Sequence, residues 1–197
     1  MKAQGNTPQP GMIVLMGSGE TAPSAQKVYH RVFSQVLDQG DDVRAAIVET
    51  PAGFEPNSDY VAGQVARFMQ KRLQNFRPTT TLVPARKRGT GFSPDDPELA
   101  ALLHDANVIF MGPGSPTYAV RQLTGSVLWE TMRACQRQGA HLILSSAATL
   151  AFSRLTLPIY EIYKVGQDLH WQAGLDFFGD FGLALIFVSH WNNGDGG

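Results

Sequence analysis

From residue 12 onward, short apolar runs alternate with amphipathic stretches. Met12 to Met16 is apolar and stops at Gly17, Ser18, Gly19 and Glu20, the pattern of a buried strand entering a tight turn. From Ser24 to Gln39, Val28, Tyr29, Val32, Phe33, Val36 and Leu37 recur three and four apart, which predicts an amphipathic helix closed by Gly40. Val43 to Val48 reads as a second strand and Glu49 to Asn57 as a Pro/Gly loop. Ser58 or Asp59 can cap the next helix, whose buried stripe is Val61, Val65, Phe68, Met69 and Leu73. Thr79 to Val83 is β-branched and predicts a third strand. After a loop from Pro84 to Pro94, a short helix around Leu99, Leu102 and Leu103 leads into a strand from Val108 to Met111. Helical segments cover Thr117 to Gln138 with a break at Gly125. Leu142 to Leu144 is the next strand, and Leu183 to Val188 predicts a further one ending at Ser189 and His190.

Repetition of strand, glycine turn and helix predicts an α/β fold, a three-layer α/β/α sandwich with an open, mostly parallel sheet. Residues 1–11 are a polar lead-in, and 12–197 form one domain. Ligands of such sheets bind beyond the carboxyl ends of the strands. Four predicted strand ends carry capable groups: Glu20, the turn Gly112 to Gly114, Ser146 and His190. All four then meet at one edge.

The whole-chain properties narrow the field. At 197 residues and 43% hydrophobic content the chain can bury a core without staples. A net charge of −1 gives no electrostatic case for nucleic acid, and no long uncharged apolar span suggests a membrane. The lead-in has no signal-peptide apolar core, so a cytoplasmic location is the expectation. The single cysteine, Cys135, excludes an internal disulfide and a thiolate cluster.

The chemically pointed segment is AHLILSSAATLAFS, residues 140 to 153. A buried strand stops at Ser145 and Ser146 and a small-residue helix follows, the shape of a nucleophile elbow. There a strand delivers one side chain to the sheet edge and the helix aims its free backbone N–H groups at the same place. The plain alternative is a serine capping a helix.

Four segments carry a family resemblance: VLMGSGE (14–20), IFMGPGSPTY (109–118), LSSAA (144–148) and FVSHWN (187–192). In this order they resemble the serine peptidases that include cyanophycinase and dipeptidase E, with their glycine-rich turns, G-x-S-A-G elbow and D-x-H-F strand end. The resemblance implies a flavodoxin-like, class I glutamine amidotransferase-like fold and hydrolysis of a peptide or related amide through an acyl-enzyme. It implies Ser146 as nucleophile, His190 as general base, and the backbone N–H groups of Gly114 and Ala147 as the oxyanion hole. Glu20, Gly112, Ser115 and Tyr118 would line the substrate side. The family's acid follows the nucleophile by roughly one and a half dozen residues, and Glu161 is the nearest candidate, ahead of Asp168 or Asp176. In LPIYEIYKV, Glu161 also reads as a solvent-facing residue of a short strand. The sequence departs from the pattern at Leu144, Ala148, Pro113 and Ser189, and relatives continue past the histidine where this chain ends in NNGDGG, so an abbreviated carboxyl end is expected.

Other residues read more plainly. Cys135 recurs with Leu128 and Met132 along one helix and belongs to a core stripe, which disfavours a cysteine-dependent amidotransferase. His30, His104 and His141 are not expected to be catalytic, while His170 and Trp171 could reach the site from the loop after Gly166. No metal and no cofactor are expected. Arg86, Lys87 and Arg88 read as a solvated loop, or as a cationic lid if folded over the site. The expected partner is a small peptide or amide, with a homodimer compatible with the chain. The competing reading is a catalytically inactive domain of the same architecture whose glycine turns bind a small anion.

Overall fold

The computed structural model describes residues 9–191, so most of the lead-in and the terminal NNGDGG run lie outside the described residues. Each strand of the main sheet is followed by a helix that carries the chain back, so the strands run parallel. The order along the chain is β1 (Ile13–Met16), α1 (Ala25–Asp38), β2 (Arg44–Val48), α2 (Ser58–Arg72), β3 (Thr79–Val83), α3 (Pro97–Ala101) and β4 (Val108–Met111). It continues with α4 (Pro116–Leu123), α5 (Val127–Arg137), β5 (His141–Ser145), α6 (Ala147–Ala151), β6 (Leu155–Thr156), α7 (Ile159–Val165) and β7 (Gln172–Ala173). The main sheet has five strands in the order β1-β5-β4-β2-β3, and β6 pairs antiparallel with β7 in a separate ribbon. This is the expected three-layer α/β architecture.

Alternation along the strands divides the core in two, because successive side chains leave a strand on opposite faces. Ala45, Ile47, Val108, Phe110 and Ile143 face Tyr29, Val32 and Phe33 of α1 and Val65 and Met69 of α2. Their neighbours Ala46, Val48, Ile109, Met111, Leu142 and Leu144 face Leu103, Leu123, Leu128, Trp129, Met132 and Phe152. Cys135 sits in that second cluster, its thiol 3.6 Å from the Leu103 carbonyl and its pKa pushed up by burial. The expected core stripe is therefore real.

Four expectations about elements are corrected. Residues 183–188 form no strand: the backbone is tied at Leu183 N–H to Phe178 O (3.0 Å), Arg154 N–H to Leu185 O (2.9 Å) and Phe187 N–H to Ser153 Oγ (2.9 Å), and no strand among the described residues pairs with it in a ladder. Ser58 does not cap α2 but is its first residue, because its hydroxyl donates to the buried Glu49 carboxylate at 3.0 Å. Val61 and Phe68 are only half-buried, the deeper positions going to Ala62 and Ala66. The stretch holding Glu161 is the helix α7, begun after Pro158 and closed by Gly166 at φ 80°, and not a strand.

The edge strand β1 is registered on β5 by a side chain as well as by the ladder. Met12 N–H donates to His141 Nδ1 at 2.8 Å, which requires the neutral ring, and burial lowers the His141 pKa. The unfolded chain therefore takes up this proton first on acidification, so the contribution is complete above the ordinary histidine range and is lost as pH falls through it. The unfolding free energy, measured by urea titration at stepped pH, is expected to fall below about pH 6.5. In His141→Asn, whose oxygen can accept the same N–H, that slope should flatten; an unchanged slope would assign the dependence to other groups.

Candidate active site

Ser146 stands between the last residue of β5 and the first of α6 with φ 52° and ψ −116°. A non-glycine residue held in a sparsely populated region of this kind costs about 1–3 kcal/mol and persists only where its surroundings dictate it. They do so here. The Ser146 N–H donates to Met16 O at 3.0 Å, and the Thr149 hydroxyl lies 2.9 Å from Met16 O and 3.0 Å from Leu144 O. The Ser146 carbonyl accepts from Leu150 N–H at 3.3 Å and from the Ser189 hydroxyl at 3.0 Å. Leu144 stands where the elbow pattern has glycine, but its side chain is fully buried in the core with Ala148, away from the turn.

The imidazole reaches this serine from the far end of the chain. Ser146 Oγ lies 2.7 Å from His190 Nε2. With the hydroxyl as donor, Nε2 is the bare nitrogen and the neutral ring carries its proton on Nδ1. Ser153 and Arg154, just after α6, moor Phe187 and Leu185, and Ser189 closes onto Ser146, so the segment that starts at Ser146 also docks the histidine. His190 lies over the turn that ends β1, since a Cβ on Gly17 would come within 3.5 Å of its backbone nitrogen.

The glycine turn after β4 leaves the sheet beside the elbow, because Met111 pairs with Leu144 and Met16 with Ser145. Gly114 has φ 143°, and a Cβ there would fall 2.0 Å from Pro51 O, so no other residue fits. Ser115 N–H donates to that same carbonyl at 2.9 Å, and its hydroxyl caps α4 by accepting from Tyr118 N–H at 3.1 Å. Tyr118 donates its phenol to Arg86 O at 2.9 Å. Glu20 accepts from the Ser145 hydroxyl at 3.0 Å, one residue before Ser146. Its carbonyl accepts from Tyr29, whose phenol is pushed far up by burial and by the nearby Glu20 charge.

Ser146 and His190 are thus brought together, and Glu20, Gly112, Gly114, Ser115 and Ala147 gather at the same sheet edge. Glu161 is not joined to His190. Its Oε1 accepts from the Thr117 hydroxyl at 2.7 Å, and its Oε2 is buried without a hydrogen-bond partner among the described residues. The reason is that α7 docks on the start of α4. Asp168 offers its backbone carbonyl to His170 Nδ1 at 2.8 Å, and Asp176 packs against Gly179. The basic loop is paired internally: Arg86 Nε lies 2.7 Å from the buried Glu49 carboxylate, and Arg88 Nη2 donates to Thr124 O at 2.7 Å. Trp171 is exposed beside β7. Sequence reasoning missed Ser145, Thr117 and Ser189, whose roles depend on contacts that no spacing announces. Among the described residues, no three His, Cys, Asp or Glu side chains cluster as metal ligands, and no helix is long and apolar enough to cross a membrane.

No family model matches the sequence, and no curated protein does either. Solved structures do match. A peptidase from an acI-B1 Actinobacterium is similar over 96% of this chain and 72% of its own, with 19% identity and a TM-score of 0.76. A candidate peptidase E protein from Listeria monocytogenes EGD-e is similar over 85% of this chain and 75% of its own, with 13% identity and a TM-score of 0.53. The fold is therefore one that proteins named as peptidases use.

The strained serine makes a stability prediction independent of activity. Ser146→Gly and Ser146→Ala both remove the hydroxyl, but only glycine tolerates this backbone without a Cβ penalty. The glycine variant should be more stable by about 1 kcal/mol, read from urea unfolding. Equal stabilities would mean that the turn relaxes out of the positive-φ region.

Proposed function

We propose that this chain is a serine hydrolase that cleaves a peptide or related amide through an acyl-enzyme on Ser146, as in the cyanophycinase and dipeptidase E family it resembles. The carrying observation is the 2.7 Å contact between Ser146 Oγ and His190 Nε2, made by a serine strained at a strand-to-helix turn. A serine hydroxyl is a poor nucleophile at neutral pH, and a bare imidazole nitrogen at this distance is the base it needs. Proteins named as peptidases sharing the fold support an amide as the bond attacked.

In the reading proposed, Ser146 Oγ bonds to the substrate carbonyl carbon while its proton passes to His190 Nε2. The carbonyl π electrons move to oxygen, and the resulting oxyanion is received by the N–H groups of Gly114 and Ala147. Ala147 begins α6, where a helix has no acceptor of its own for the N–H, and Gly114 ends the turn beside it. Collapse of the tetrahedral species breaks the C–N bond, and the amine leaves with the proton from His190. Water then repeats the sequence on the ester, its proton going to His190 and returning to Ser146 Oγ as the acid departs. Every step uses only groups of this chain, the substrate and water. Glu20, Gly112, Ser115 and Tyr118 border the substrate, with the Glu20 carboxylate fixed beside the nucleophile by Ser145.

A fluorophosphonate probe tests this directly. The protein should label, Ser146→Ala should not, and His190→Ala should label on the order of 100-fold or more slowly. Undiminished labelling of Ser146→Ala would overturn the assignment.

A further inference from the structure

Glu161 is a carboxylate that the proposed reaction does not use, yet it is built into the site. Its Oε1 accepts from Thr117 Oγ1 at 2.7 Å, and Thr117 Oγ1 lies 3.0 Å from Ser115 Oγ, which in turn accepts from Tyr118 N–H at 3.1 Å. An ionised carboxylate can only accept, so the Thr117 proton points to Glu161. The Ser115 proton must then point to Thr117, leaving Ser115 Oγ as the acceptor that caps α4. One carboxylate thereby sets the direction of both hydroxyl protons in the chain from Tyr118 N–H through Ser115 and Thr117 to Glu161. Chains with one polarity strengthen one another in a shielded setting.

The residue fixed at the end of this chain is Ser115, the neighbour of Gly114. Ser115 is held from both sides, its N–H on Pro51 O at 2.9 Å and its hydroxyl in the Glu161-directed chain. The Gly114–Ser115 peptide is thereby tied at its Ser115 end, and the Gly114 N–H, which belongs to the preceding Pro113–Gly114 peptide, is anchored from it through the Gly114 Cα packed against Pro51. The helix α7 that carries Glu161 has no fully buried residue, and its other tie to this region is the Tyr160 ring against Phe54 at 5.8 Å, with Phe54 on Tyr118 at 5.1 Å.

We propose that Glu161 is a positioning residue for the glycine turn, acting through Thr117 and Ser115 on the Gly114 amide, and not a partner of His190. This rests on the serine-hydrolase reading, in which that amide receives the oxyanion.

The test is the inactivation of the purified protein by a fluorophosphonate, resolved into a maximal rate and a half-saturating concentration across pH. Glu161→Ala and Thr117→Val should each lower the maximal rate tenfold or more with little change in half-saturation, and should leave the midpoint of the pH profile unmoved. Glu161→Gln, which keeps an acceptor for Thr117, and Thr117→Ser, which keeps the hydroxyl, should stay within about threefold of the parent. Thermal melts confirm that each variant is folded, and Thr117→Val carries the test should Glu161→Ala fail to fold. Wild-type rates in Thr117→Val and Glu161→Ala would overturn the proposal. So would a Glu161→Gln variant as slow as Glu161→Ala with a displaced pH midpoint, which would assign Glu161 to the histidine. A parent protein that does not label at all would instead remove the serine-hydrolase reading itself.

Discussion

The site depends on one backbone constraint: a serine is forced into positive φ where β5 becomes α6, and neighbouring strands keep it there. Met16 at the end of β1 supplies the carbonyl that receives both the Ser146 N–H and the Thr149 hydroxyl. The edge strand therefore serves the elbow as well as the sheet. Without these bonds the chain could enter α6 with a relaxed serine, and the hydroxyl would lose its fixed direction. Strain of about 1–3 kcal/mol is tolerable because β5 is an interior strand, flanked by β1 and β4 and buried along its length.

The histidine is placed by quite different means. No ladder carries residues 183–190; a few hydrogen bonds from the region after α6 hold them against the body of the protein. A rigidly held serine is thus matched with an imidazole on a segment secured at discrete points. The glycine turn after β4 is a third kind of arrangement, in which close backbone contact with Pro51 excludes any side chain at Gly114. The elbow and the glycine turn reach one sheet edge because parallel strands point the same way, and the histidine is brought there by hydrogen bonds to the elbow and the region after α6.

Much of this was legible beforehand. Local pattern located α1, β3 and β4 almost to the residue: α1 buries a regular stripe, β3 is a β-branched run stopped by Pro84, and β4 is an apolar run stopped by Gly112. The meeting of Ser146 and His190 was legible because both follow apolar runs that reach the same sheet edge. The segment 183–188 misled because an uninterrupted apolar run cannot report whether a neighbouring strand is present to pair with it. Glu161 misled for a related reason: its distance along the chain from Ser146 fits an acidic partner, but α7 folds as a helix onto α4 and delivers the carboxylate to Thr117. Ser189 and Ser145 could not have been found, because a serine's role depends on which carbonyl or carboxylate lies within reach.

The most direct measurement is a crystal structure of the protein after reaction with a small fluorophosphonate. The account predicts phosphorus bonded to Ser146 Oγ, with the phosphoryl oxygen about 3 Å from the backbone nitrogens of both Gly114 and Ala147. Phosphorus on another residue, or on Ser146 with its oxygen turned to solvent away from those two amides, would contradict it.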